Sequence, residues 1–374
     1  MTRHRRRLAG RRIALVSHQP AIDPHGISTA ELLWRANGIE LTTILGPEHG
    51  YFCTGGAGES IRSRNHPRYR IPVYSLYGRA RRPAPRMLRN CDTIVIDLHD
   101  LGARCYTYVS TMLEVLIAAQ ESKLPVIVAD RPIPLPCTPD GPTVAAGFES
   151  FVAAIPAPML YAMTPGETAT WLIEELGLDV DLRVCAMSGY NRDPARGRAW
   201  PPWIPPSPGI VTWEAAQAYT ATVFTEAVPA IDCGRGGGLS FQLIGAPWIK
   251  PAAVIEALGD LSLPGVTLHE HRYAPRIGRY ASKSVDGVRM VITSPARFRP
   301  ILTSVCVLSV LQALYGPNRL WRAPKTRPEF FDALYGSDSV RLALLDGVPG
   351  PKIASTWQRD LKKFKSARAR HLLY

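Results

Sequence analysis

Four small clusters of ionisable residues stand out in the chain: Glu48 and His49 in GPEHG, His99 and Asp100 in DLHDLG, Asp130 and Arg131 in DRPIP, and Glu167 in MTPGE. Two carboxyl groups facing one site suffice for general acid/base work, because one can be held protonated as a donor while the other stays ionised. Glu48 and Glu167 could form such a pair, of the kind that cleaves a glycosidic bond. Each also has a simpler structural reading. Glu48 can hold its own turn, and Glu167, after Thr164-Pro165-Gly166, can cap a helix.

Rival chemistries fit the residues less well. GGAG at 55–58 and GRGGG at 234–238 could cradle an anion, yet neither is a GxGxxG after the first strand, and no GxxxxGK[ST] is present. His269 and His271 share one face of a strand without HExxH spacing or a third ligand, so no metal site is expected. Ser110, Ser207 and Ser240 lack the GxSxG elbow of serine hydrolases. Arg235, set between glycines, is suited to meeting a carboxylate in a tight loop.

Parallel strands would bring these groups together. Apolar, β-branched runs at 12–19, 39–50, 93–102 and 125–134 alternate with helical segments, and runs at 156–167 and 182–190 extend the series. This alternation predicts a parallel α/β sheet, since each parallel crossover needs a helix to return the chain. Ligands of such sheets bind beyond the carboxyl ends of the strands, where Glu48, His99, Asp100, Asp130, Arg131 and Glu167 would converge. The proline-dense AWPPWIPPSPGI (199–210) then interrupts regular structure, dividing an α/β domain at 1–192 from a smaller α+β domain at 193–374. In the second part HEHRYAP (269–275) and GVRMVITS (287–294) read as strands, and ILTSVCVLSVLQALY (301–315) as a buried helix.

Composition narrows the partners. Lys and Arg outnumber Asp and Glu by 44 to 31, but the arginines crowd the two ends and positions 79–89 without an aromatic-basic repeat. That pattern disfavours nucleic acid and reads first as solvated surface charge, with attraction to a small anionic substrate as the alternative. Seven cysteines without a CxxC pair point to a reducing, cytoplasmic setting. No run reaches the ~18–20 apolar residues of a membrane span.

Read in order, GPEHG (46–50), AGE (57–59), PVYSLYG (72–78), DLHDLGARCYTY (97–108), DRPIP (130–134), MTPGE (163–167), PSP (206–208), GRG (234–236), GAPW (245–248) and HLLY (371–374) resemble the exo-β-N-acetylmuramidase family. The resemblance runs from about Leu8 to the last residue. It implies a Rossmann-like parallel-sheet domain followed by a smaller α+β domain, with the active site in the cleft between them. It implies removal of N-acetylmuramic acid from the non-reducing end of peptidoglycan fragments, with neither cofactor nor metal. Glu48 and Glu167 are then the catalytic carboxylates, in roles left open. His49, His99, Asp100, Arg104, Tyr106, Asp130, Arg131, Tyr161, Glu226 and Arg235 are then substrate-binding, with Arg131 or Arg235 suited to the lactyl carboxylate of muramic acid. The chain departs from the family pattern at His18, His99, Tyr161, Gly209 and Gly237. Those departures raise an alternative: a diverged member of specialised metabolism acting on another glycoside, a nucleoside or an amino-sugar acid.

Overall fold

The computed structural model describes residues 8–193 and 203–374. Its larger sheet contains β1 (Arg12–Ser17), β2 (Glu40–Gly46), β3 (Arg64–Asn65), β4 (Pro72–Ser75), β5 (Thr93–Asp97), β6 (Val126–Ala129) and β7 (Leu182–Cys185). They lie in the order β3-β4-β2-β1-β5-β6-β7, all parallel except the short edge strand β3. The six parallel strands therefore follow the doubly wound Rossmann order, with the direction of winding reversing between β1 and β5. Both faces are covered, so the central strands read as near-continuous apolar runs; Ile13 to Val16 are all buried.

The run at 156–167 does not form the expected fifth strand; only isolated bridges pair Leu160 with Ala103 and with Asp140. Pro156 and Pro158 offer no N–H to a ladder. The amides of Tyr161 and Ala162 instead both donate to the Gly102 carbonyl, at 3.0 and 3.1 Å. The segment is thus tied to the loop after β5, and a helix begins directly at Pro165 (Pro165–Leu176).

The second sheet is antiparallel, with β8 (Leu243–Gly245), β10 (Val285–Ile292) and β9 (Val266–Tyr273) side by side in that order. β9 and β10 overlap the two strands read from sequence but begin earlier and end two residues sooner, at Tyr273 and Ile292. The helix Pro300–Tyr315 is largely buried, as its apolar run requires. Among the described residues no helix is long and apolar enough to cross a membrane. One continuous apolar core runs from the first sheet into the second part of the chain, while a smaller cluster around Ile13, Leu15, Ile44 and Val95 covers the other face of the first sheet.

Arg104 staples the two parts together. Its guanidinium is fully buried and donates to the carbonyls of Ala157 (2.8 Å), Leu334 (3.1 Å) and Pro142 (3.3 Å), with no carboxylate partner among the described residues. It packs so closely that a Cβ added at Gly336 would lie 2.7 Å from its Nη2, and Gly336 has a φ of 74° besides. In place of the expected substrate contact, Arg104 serves main-chain carbonyls: those of Ala157 and Leu334, and that of Pro142, which also accepts from the Met159 amide at 3.1 Å. Arg104→Met should cost about 2–3 kcal/mol through two orphaned acceptors, the carbonyls of Ala157 and Leu334. A lowered urea midpoint with an unchanged slope would bear this out.

Candidate active site

GPEHG forms a closed turn at the carboxyl end of β2. Gly46 is required there, since a Cβ would come within 2.4 Å of the Tyr51 amide nitrogen. His49 and Gly50 both adopt left-handed backbone, φ 69° and 73°. That strain is offset by two bonds between His49 and Gly55: the imidazole Nδ1 donates to the Gly55 carbonyl at 2.9 Å, and the Gly55 amide donates back to the His49 carbonyl at 3.2 Å. The turn aims Glu48 inward, where Oε1 accepts from the Gly58 amide at 2.7 Å and Oε2 from the Thr107 hydroxyl at 2.6 Å. The Tyr77 hydroxyl is also bonded to Glu48; burial and then the Glu48 charge push its pKa up to about 12.

Glu48 and His49 line a cavity of about 330 Å³ whose other walls come from Tyr77, from Tyr106 and Thr107 after β5, and from the second part of the chain. That part contributes Ser207, Gly209, Tyr219, Glu226, Arg235 and Arg327. Glu226 is the second carboxylate. It ends the 3-10 turn Val223–Glu226 and pairs with Arg235, Oε1 to Nη1, at 3.1 Å. Burial raises its pKa, Arg235 partly offsets this, and Glu48 raises it further. Two carboxyl groups in one cavity, one of them with its proton affinity raised by burial, can act as a proton donor and a charge stabiliser.

A larger, more open depression of about 710 Å³ lies between Gln19 and Tyr69. Its one carboxylate, Glu31, is held by the Tyr69 hydroxyl at 2.6 Å, by Arg68 at 3.0 Å and by Arg35. A carboxylate with three such partners is poorly placed for proton transfer. The smaller cavity is the stronger candidate.

Of the residues expected at the site, Glu48, His49, Tyr106, Glu226 and Arg235 meet there. His99, Asp100, Arg104, Asp130, Arg131, Tyr161 and Glu167 do not line the cavity. At the β1/β5 switch point Arg131 makes a bidentate pair with Asp97 (2.7 and 2.8 Å), and its remaining terminal nitrogen serves the Ile22 carbonyl. Beside it His18 accepts from the His99 amide through Nε2 (3.0 Å) and donates to the Pro206 carbonyl through Nδ1 (3.3 Å), which fixes its tautomer. Burial lowers His18 to about 3 and His99 well below its ordinary value, so both stay neutral. Asp100 is buried with the Tyr161 hydroxyl and the Gly102 amide as donors.

Glu167 proves to be a helix cap. Thr164 and Glu167 form a reciprocal capping box, and Glu167 also accepts from Arg192 and, at 2.8 Å, from the Leu373 amide. Asp130 accepts from the Gly166 amide, the Thr164 hydroxyl and the Tyr374 hydroxyl, at 2.7, 2.8 and 2.8 Å. These two acids thus dock the carboxyl-terminal HLLY segment onto the first sheet.

Sequence reasoning missed Tyr77, Thr107 and Arg327. The first two lie inside motifs already singled out, PVYSLYG and DLGARCYTY, where the acids drew attention from them. Arg327 precedes the helix Pro328–Tyr335, and nothing in its neighbourhood marks it as facing the cavity.

The chain matches two family models along most of its length: "Exo-beta-N-acetylmuramidase NamZ, N-terminal" over residues 13–214 and "Exo-beta-N-acetylmuramidase NamZ, C-terminal" over 217–374. It is 32% identical over 372 residues to the peptidoglycan beta-N-acetylmuramidase NamZ of Bacillus subtilis, covering 99% of this chain and 89% of that protein. A crystal structure of a DUF1343 family protein from Bacteroides fragilis superposes with a TM-score of 0.92 at 30% identity, covering 100% of this chain and 96% of that one. A second from the same organism superposes with a TM-score of 0.78 at 24% identity, over 99% and 95% of the two chains, and supports the fold alone.

The buried acids give the fold a pH dependence. Burial pushes Asp100 up to about 6, outweighing its donors Tyr161 and Gly102. Its folded-state pKa lies above the unfolded value, so stability is fully present below the ordinary carboxylate range and is lost as pH rises through about 6. Asp100→Asn should flatten the fall in unfolding free energy between about pH 4 and pH 7 by on the order of 2–3 kcal/mol. Urea titrations across that range provide the check, and an unchanged slope would refute the assignment.

Proposed function

The chain belongs to the exo-beta-N-acetylmuramidase NamZ family, and from that premise we propose that it is a glycoside hydrolase removing a non-reducing terminal N-acetylmuramic acid, with Glu226 as acid and Glu48 as its partner carboxylate. The observation that carries this reading is the presence of both side chains in one cavity, one of them with its proton affinity raised by burial. Glu226 gives its proton to the leaving glycosidic oxygen as the C–O bond breaks. Glu48, steadied by Gly58, Thr107 and Tyr77, faces the positive charge that grows at the anomeric carbon. Water then adds its hydroxyl to that carbon, and its proton restores the carboxyl pair. Acid, carboxylate and water suffice, so the reading needs no cofactor.

Arg235 and Arg327 suit the lactyl carboxylate. Both line the cavity, and Arg327 spends a terminal nitrogen only on the Glu226 main-chain carbonyl, at 2.7 Å. Arg131, the other arginine considered for this role, is engaged by Asp97. The same reading includes a reducing, cytoplasmic setting, supported by seven cysteines of which no two form a disulfide.

The test is turnover of a chromogenic N-acetylmuramide beside a panel of other glycosides and nucleosides. Glu48→Gln and Glu226→Gln should each lower kcat by roughly 10²–10⁴-fold. Glu167→Gln should keep kcat within a few-fold and lower the melting temperature, because it leaves Arg192 without its partner. Loss of rate in Glu167→Gln with retention in Glu226→Gln would replace the pair with Glu48 and Glu167. Turnover of another glycoside in place of the muramide would favour the altered-substrate alternative.

The pH profile offers an independent check. The acid must be protonated, so rate falls as pH rises through the Glu226 pKa. Arg235 lowers that pKa. Arg235→Met should therefore move the alkaline limb of kcat to higher pH, and raise KM for an acid-bearing sugar; a limb that stays in place would argue against Glu226 as the donor.

A further inference from the structure

Just outside the cavity is an arginine without an acidic partner. Tyr77 and Val152 line the cavity wall, and Phe151 lies beside Tyr77 with ring centroids 5.8 Å apart. The Arg81 guanidinium sits 4.4 Å over the Phe151 ring. Arg81 is exposed, and among the described residues it forms no ion pair. Its neighbour Arg82 behaves differently, bonding Glu114 and Glu121 at 2.7 Å each. Those bonds fix the loop to the helix Tyr108–Ser122. The Ser110 hydroxyl on the same helix holds the Phe151 carbonyl at 2.6 Å. One helix thus positions both halves of the Arg81–Phe151 stack, and the ring leaves the guanidinium's in-plane donors open to a carboxylate.

The second part of the chain repeats this arrangement: Arg327 lies 4.4 Å over Phe330 and likewise has no carboxylate within ion-pair distance among the described residues. The site therefore has two stacked guanidinium groups, one from each part of the chain, neither in an ion pair among the described residues. Arg327 is inside the cavity, and Arg81 adjoins its Tyr77 wall. Two such cations match a ligand whose anionic groups recur along a polymer. The glycan of peptidoglycan alternates a neutral sugar with a lactyl-bearing one, so a chain entering by an acid-bearing end presents its next carboxylate two rings beyond the first.

We propose that Arg81, stacked on Phe151 beside Tyr77, forms a second anion-reading subsite that takes an acid group on the glycan beyond the bond being cleaved. This rests on the glycosidase reading of the same cavity and adds a preference for longer acidic chains. The test compares kcat/KM for two substrates: a disaccharide with one lactyl-bearing sugar at its non-reducing end, and the corresponding tetrasaccharide with two. The wild-type chain should prefer the tetrasaccharide by about tenfold, a margin within reach of one charge-assisted contact. Arg81→Ala should leave the disaccharide rate within about twofold and abolish the preference, while Arg81→Lys should retain part of it. Converting the lactyl acid farther from the cleaved bond to its amide should reduce the wild-type preference in the same way. Equal loss on both substrates in Arg81→Ala, or no wild-type preference, overturns the proposal. Absence of turnover on both substrates overturns the glycosidase reading. The subsite is then judged by calorimetric binding of the same two saccharides, in which Arg81→Ala must lose the tetrasaccharide's advantage; binding of neither overturns it too.

Discussion

The bidentate pair between Asp97 and Arg131 sets the plan of the active half of the molecule. It lies at the point where the winding of the sheet reverses, the crevice in which doubly wound folds usually hold their ligands. Both charges are buried, an arrangement that is costly unless every donor and acceptor is met. Here the Thr29 hydroxyl and the Nε and Nη2 of Arg131 serve Asp97, and the Ile22 carbonyl takes a further Arg131 donor, Nη1. The pair ties the ends of β5 and β6 to the loop after β1, and it fills the crevice. The cavity proposed as the active site lies to one side, beyond β2 and in the loop after β5, where Glu48 and Thr107 stand.

That displacement explains why the second part of the chain belongs to the site. The first sheet supplies one wall and one carboxylate, and the rest must fold over it. Three donors converge on the Pro206 carbonyl to hold that cover: the Tyr108 hydroxyl at 2.6 Å, His18 Nδ1 at 3.3 Å and Cys53 Sγ at 3.6 Å. Ser207 and Gly209 follow at once and line the cavity. With His18 lowered to about 3, the contact keeps one tautomer through the range in which histidine normally titrates, so the anchor does not loosen with pH.

The parallel sheet, its rim of polar residues and the Glu48 station were legible because each rests on local pattern: period, turn chemistry and strand ends. The carboxylate pairing proposed from the cavity, Glu48 with Glu226, was not. Thr164-Pro165-Gly166-Glu167 is a capping-box sequence, and its local signal already explained the glutamate in full. Glu226 meets Glu48 across 178 positions of chain, a relation that no spacing encodes. Arg104 and Asp130 were read as substrate-binding for a related reason. A motif fixed by architecture and one fixed by chemistry look alike in sequence, and they separate only when donors and acceptors are counted in three dimensions.

The same count bears on the positions read from sequence as departures from the resembled pattern. His18 and His99 bond to each other beneath the cavity, and Tyr161 is bonded to Asp100 in the same buried layer. Changes there alter how the walls are supported. Gly237 closes the turn begun at Gly234, its amide donating to the Gly234 carbonyl at 3.1 Å. Gly209 is different, because it lines the cavity itself. An added Cβ would come 3.3 Å from the Phe241 ring and 3.9 Å from Arg235 Nε. A side chain at this position would cover the ring edge and stand against the arginine that pairs with the acid. With glycine, both surfaces are open to the ligand. Any difference in the sugar this chain accepts is therefore expected on the Gly209 wall, where substrate can touch Phe241 and Arg235 directly, while the carboxylates and the turn that aims Glu48 are left as they are.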